Sequence, residues 1–165
     1  MDYKSLVYFK PNTQKQILNT YINPVEYDRV ERMTLYKILK EGCVRYKGAG
    51  IAANQLGMSD RAFFSYDKLF INPDIVDRSE ETVLVTEGCL SFAGINAFVK
   101  RRVWVDVVYT DVLGEQQEEH LTGINAHIFQ HEIDHLDGVT IADRIQSKVQ
   151  RDKFMKKYKK EYKKR

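Results

Sequence analysis

Residues 124–136, "INAHIFQHEIDHL", constrain this chain more than any other segment. Their apolar spacing predicts a helix, and Gly138 stands where a helix stop belongs. At 3.6 residues per turn, His131 and His135 lie one above the other, on the stripe that also carries Ile124 and Ile128. The histidines are therefore expected to point into the body of the protein. Two buried imidazoles need polar partners, and one metal ion satisfies both at once. A surface helix with two incidental histidines is the competing reading, but it leaves the shared stripe without a reason. Glu132, one residue beyond His131, can reach past such a metal toward a bound water without ligating it. With three protein ligands and one open position, a metal lowers the pKa of its water to about 7. Glu132 then suits the general base and later proton donor.

The third ligand must come from elsewhere. His120 and His127 are candidates of lower rank, and Asp137 and Asp143 stand at no familiar spacing. Cys89, in "EGCLS", is the better choice, because a thiolate binds borderline divalent metals strongly. Gly88 beside it lets the backbone come close to the helix. Cys43, on an amphipathic segment, reads as a small buried residue.

The rest of the chain reads as one domain around this helix. Its 165 residues contain no repeat and no dividing linker. A first helix is expected over 24–46, with Pro24 at its start and Val25, Val30, Leu35, Ile38 and Leu39 roughly on one face. Extended runs follow at 61–66, 68–73 and 81–86, and then a hairpin of 102–111 with 116–123. The resulting class is α+β, with mostly antiparallel sheets packed around a central HExxH-bearing helix in a single domain. No apolar run reaches membrane-spanning length. The first residues lack a basic region followed by an apolar core, so no secretory signal is expected and the reducing cytoplasm is the expected compartment.

Three separated motifs, "GAGIAANQ" (48–55), "EGCLS" (87–91) and "QHEIDHLDG" (130–138), together resemble the signature motifs of the peptide deformylases, in that family's order. The resemblance runs over roughly 24–145 and divides the chain into a catalytic domain, 1–147, and a tail, 148–165. It implies that Cys89, His131 and His135 are metal ligands and Glu132 the catalytic acid/base. It implies that Gln55 and the backbone N–H of Leu90 stabilise an oxyanion. The implied reaction removes the formyl group from N-formylmethionine of new polypeptides by attack of a metal-bound water, releasing formate. Fe(II) is the expected native ion, with zinc, nickel or cobalt able to occupy the site. Gly48, Ala49, Gly50, Val85, Gly94, Ile124, His127 and Ile128 are the expected substrate contacts. Gly48 and Gly50 would let a substrate backbone approach, and the peptide would lie as an added strand. Arg101 is the expected ion partner of Asp134. The residue types suit this chemistry independently: donors aimed at a tetrahedral oxyanion are each worth about 3 kcal/mol.

The net charge of +3 conceals an asymmetry. Residues 148–165 carry ten Lys or Arg against Asp152 and Glu161, a net +8, leaving −5 on the first 147 residues. Phe154, Tyr158 and Tyr162 recur every four residues, as in an amphipathic helix. A solvated, fraying helix is one reading of this tail. The other, which family members support, is contact with ribosomal RNA, with phosphates on the lysines. A bacterial cytoplasm, a bacterial or phage gene and a monomer complete the expectation. A metalloprotease, a Cys89-based thiol hydrolase and a non-catalytic RNA-binding module are the alternatives; Cys89 as third ligand and Gln55 argue against the first.

Overall fold

The computed structural model describes residues 5–13 and 15–164. Helix α1 (Arg29–Tyr46) precedes strands β1 (Gly50–Ala52), β2 (Ala62–Ser65), β3 (Lys68–Arg78), β4 (Thr82–Gly88), β5 (Asn96–Arg102), β6 (Trp104–Thr110) and β7 (Gln116–Thr122). Helices α2 (Gly123–Leu136) and α3 (Lys148–Tyr162) close the chain. Five strands form an antiparallel sheet in the order β1-β2-β3-β6-β7, and β4 and β5 form a separate hairpin. The architecture is α+β, as expected.

Helix α2 touches strands of both sheets. Its buried Phe129 meets Phe63 and Phe70 edge-on, at centroid distances of 5.2 and 5.5 Å, and seats the helix on the five-stranded sheet. It ends as its sequence predicts. Gly138 has φ +72°, and a Cβ there would stand 2.8 Å from backbone atoms of Asn19 and Thr20.

Helix α1 starts later than expected. Asp28 accepts from Glu31 N–H and Glu31 accepts from Asp28 N–H, both at 2.8 Å, so a capping box fixes the start at Arg29. Pro24 and Val25 precede the helix, and Val30 on it is 72% exposed. The buried face is Leu35, Leu39, Gly42 and Cys43, which packs against Ile51, Leu56, Phe64 and Ile71.

The pattern also hid β5. Ala97, Val99 and Arg101 face inward along it, so one inward position is a cation. The strand expected at 102–111 begins at Trp104, because Arg102 ends β5. Strand β3 runs on to Arg78 and pairs with β6.

Phe154 and Tyr158 of α3 are buried in a third cluster with Phe92, Ile95, Val99 and Cys89. The helix is therefore docked, which overturns the fraying alternative, while its lysines face solvent. Among the described residues no helix is long and apolar enough to cross a membrane.

Candidate metal centre and substrate cleft

Two elements bring three soft or borderline donors together. Cys89 leaves the end of β4 and enters a short turn, Leu90–Phe92, while His131 and His135 come from α2. Their ligand atoms all lie within 4.8 Å of one another, and Cys89 Sγ is 3.3 Å from His135 Nε2. Donors around one tetrahedral ion, at bond lengths of about 2.1–2.3 Å, stand roughly 3.5 Å apart. A thiolate and two imidazoles at this spacing fit a divalent ion of the zinc or iron type. His131 Nδ1 is engaged by Glu87 at 2.9 Å, which leaves Nε2 as its ligand atom.

Glu87 is the centre of a supporting network. Arg101 donates to both of its oxygens, at 2.6 and 2.9 Å, and to Asp134 of α2 at 2.6 Å. Arg144 also pairs with Asp134. Burial alone would raise the Glu87 carboxyl, but hydrogen bonds from Arg101 and His131 hold it down at about 2. Glu87 is thus an ionised carboxylate that fixes the His131 ring. The expected Arg101–Asp134 pair is present, and it extends through Glu87 to His131 of the candidate metal site.

Glu132 is 3% exposed, and its Oε2 has no hydrogen-bond partner among the described residues. Burial pushes its carboxyl up to about 7, against the pull of His131. Gly50 makes room for it: a Cβ there would stand 2.6 Å from Glu132 Oε1. The bare Cα of Gly50 therefore makes room for the buried Glu132 carboxyl, a contact that the sequence did not suggest. At Gly48 a Cβ would meet the Gly50 carbonyl oxygen at 2.7 Å, so that glycine serves the fold of its own loop.

Gln55 is aimed by its neighbours. Its Oε1 accepts from Ala52 N–H at 3.0 Å, which turns its Nε2 toward Ser91 Oγ at 3.2 Å and Cys89 Sγ at 3.8 Å. The two hydrogens of this amide nitrogen therefore serve Ser91 Oγ and the Cys89 side of the donor cluster.

These groups open onto one cleft of about 460 Å³. Gly48, Ala49, Gly50 and Gln55 line one side, and Cys89, Leu90 and Gly94 another. Ile124, His127, Ile128, His131 and Glu132 come from α2. His135 lies behind them, 1% exposed. Val85 does not line the cleft: strand alternation turns it onto the third cluster. Ile124 is 67% exposed at the rim and not inside the body. His120 is remote, on β7 beside Asp106 and Trp104. Sequence reasoning missed Glu87 and Ser91 as supporting residues. Both stand in "EGCLS", and an acid two residues before a ligand cysteine was the available signal. A larger apolar groove along α1 carries none of this chemistry.

Comparisons with known proteins bear on the family and the fold. The family model for polypeptide deformylase matches residues 11–151. A peptide deformylase of Thermotoga neapolitana is 42% identical over 135 residues, covering 78% of this chain and 81% of that protein. Among solved structures, the peptide deformylase of Ehrlichia chaffeensis in complex with actinonin superposes with a TM-score of 0.86 at 31% identity, over 98% of both chains. That of Thermus thermophilus has a TM-score of 0.84 at 34% identity, over 96% of this chain and 94% of that one. A match spanning most of the chain, in sequence and in fold alike, means that this chain belongs to the polypeptide deformylase family of enzymes.

Proposed function

We propose that this enzyme hydrolyses the formyl amide of N-formylmethionyl peptides, and that its own residues divide the work as follows. Cys89, His131 and His135 would hold a divalent ion, Fe(II) in the cell, which would supply Lewis acidity and lower the pKa of a nearby water to about 7. Glu132 takes a proton from the attacking water as its oxygen adds to the formyl carbon. The oxyanion that forms is held by Gln55 Nε2–H and Leu90 N–H. Glu132 then returns the proton to the amine nitrogen as the C–N bond breaks. Formate and a free methionyl amine leave.

The peptide is held as a strand. β1 is an edge of the five-stranded sheet and, among the described residues, pairs with β2 alone, so its other side can accept an added strand. Gly94 and its neighbours would flank that peptide opposite Gly48–Gly50, with Ile128 and His127 toward the methionine side chain. The enzyme works as a cytoplasmic monomer, and the exposed lysines of α3 contact ribosomal RNA.

One observation carries this reading: a buried carboxyl near neutrality and a fixed amide donor converge on the same cysteine–histidine cluster. The test is formate release from formyl-Met-Ala-Ser by protein loaded anaerobically with Fe(II). Glu132→Gln should retain the metal and lose about 100- to 10,000-fold in kcat. A wild-type protein that releases no formate with iron, zinc, nickel or cobalt sinks the reading.

A further inference from the structure

The segment around Val7–Phe9 and helix α3 meet at the turn Leu90–Phe92, which carries one of the two proposed oxyanion donors, Leu90 N–H. The N-terminal segment crosses the turn, with Val7 N–H donating to Gln55 O at 2.7 Å and Phe9 N–H donating to Ser91 O at 2.9 Å. Phe9 stacks on Phe92 with centroids 4.7 Å apart. From the other end, Tyr158 of α3 is fully buried, and its hydroxyl lies 2.8 Å from Phe9 O and 3.0 Å from Ser91 O. Both are carbonyl acceptors, so the single O–H is shared between the N-terminal segment and the turn. Its ring lies 4.7 Å from Phe92.

Ser91 is the hinge of this arrangement. Its carbonyl is held by Phe9 and Tyr158, and its own Oγ accepts from Gln55 Nε2. One residue earlier is Leu90, and one before that Cys89. A shift of the Ser91 backbone would move Gln55 Nε2 and Leu90 N–H together. Oxyanion donors act through their placement at the developing charge, so a loosened turn lowers the rate more than the affinity.

We propose that Tyr158 is a positioning residue for the oxyanion donors: its hydroxyl clamps Ser91 O and Phe9 O, and through Ser91 holds Gln55 and Leu90 in register. The proposal rests on the deformylase reading of the cleft. It makes α3 a structural part of the active site, through Tyr158 and Phe154, which share a buried cluster with Cys89.

The test compares Tyr158→Phe with wild type, both zinc-loaded, at a temperature well below either Tm. Removing one oxygen keeps the ring in its cluster. The expected result is a fall in kcat of about tenfold with KM within about twofold. In ¹⁵N–¹H spectra, the Gln55 side-chain amide and the Leu90 N–H should shift or broaden. Asp28→Ala, which opens the distant cap of α1, is the stability control and should keep wild-type kcat. Unchanged kcat in Tyr158→Phe, a change in KM alone, an equal loss in Asp28→Ala or unmoved Gln55 and Leu90 resonances would each overturn the proposal. If the wild type releases no formate, the deformylase reading fails by itself, and the spectra alone then decide whether Tyr158 positions Gln55.

Discussion

At Gly50 the space of one missing methyl group decides where a carboxylate sits. A Cβ would stand 2.6 Å from Glu132 Oε1 and 2.9 Å from its Cδ, so alanine there must push Glu132 out of place. Glu132 belongs to a buried, well-packed helix and has little room to yield. A displacement of about 1 Å in a catalytic group costs on the order of 100-fold in rate. Gly50→Ala is therefore expected to lose about that factor in kcat while Cys89, His131 and His135 still bind metal. Formate release and metal content, measured on the same preparation, check this. Unaltered kcat would show that Glu132 tolerates the shift. The sequence marked Gly50 as special but for another reason, because the clash is with a residue 82 positions away.

The elements differ in how far local pattern reveals them. Helix α2 was legible because its caps, stripe and ligand spacing all lie within about fifteen residues. The start of α1 was not, because Pro24 and Val25 imitate a helix start that the Asp28–Glu31 capping box overrides. β5 was hidden because Arg101 takes an inward position and is neutralised by Glu87 and Asp134, 14 and 33 residues away. The periodicity of α3 was legible, but its anchor was not, since Tyr158 bonds a carbonyl 149 residues distant. Docking by Phe154 and Tyr158 leaves one face of α3 to Lys153, Lys156, Lys160 and Lys163. The proposed binding of this face to ribosomal RNA predicts a steep salt dependence, a loss of about tenfold or more between 50 and 200 mM for several phosphate contacts. Replacing these four lysines with glutamine should reduce affinity and flatten the salt slope, while formate release is kept. A slope unchanged by the substitutions would remove α3 from the contact.

Over the whole molecule, one charge network joins parts that the hydrophobic clusters leave separate. Glu87 on β4, Arg101 on β5, Asp134 on α2 and Arg144 beyond it connect the hairpin, the helix and the approach to the tail. The same network orients His131, so stability and the proposed metal binding share it. Its titration has a definite sign. The Glu87 carboxyl falls from 4.5 to about 2 on folding, since the gain from Arg101 and His131 exceeds the cost of burial. A carboxyl lowered by folding contributes stability that is complete above its unfolded value and is lost as pH falls toward the folded one. Metal-free protein should therefore lose Tm as pH drops from 4.5 toward 2. Glu87→Gln removes the titrating group but leaves Arg101 and Asp134 in place. At neutral pH the variant should be the less stable, because Arg101 loses a buried partner. The gap between variant and wild type should then narrow as the pH falls through that window, which thermal melts at matched ionic strength measure. A gap of constant size down to the acid end would mean that Glu87 is not the group whose protonation loosens the fold.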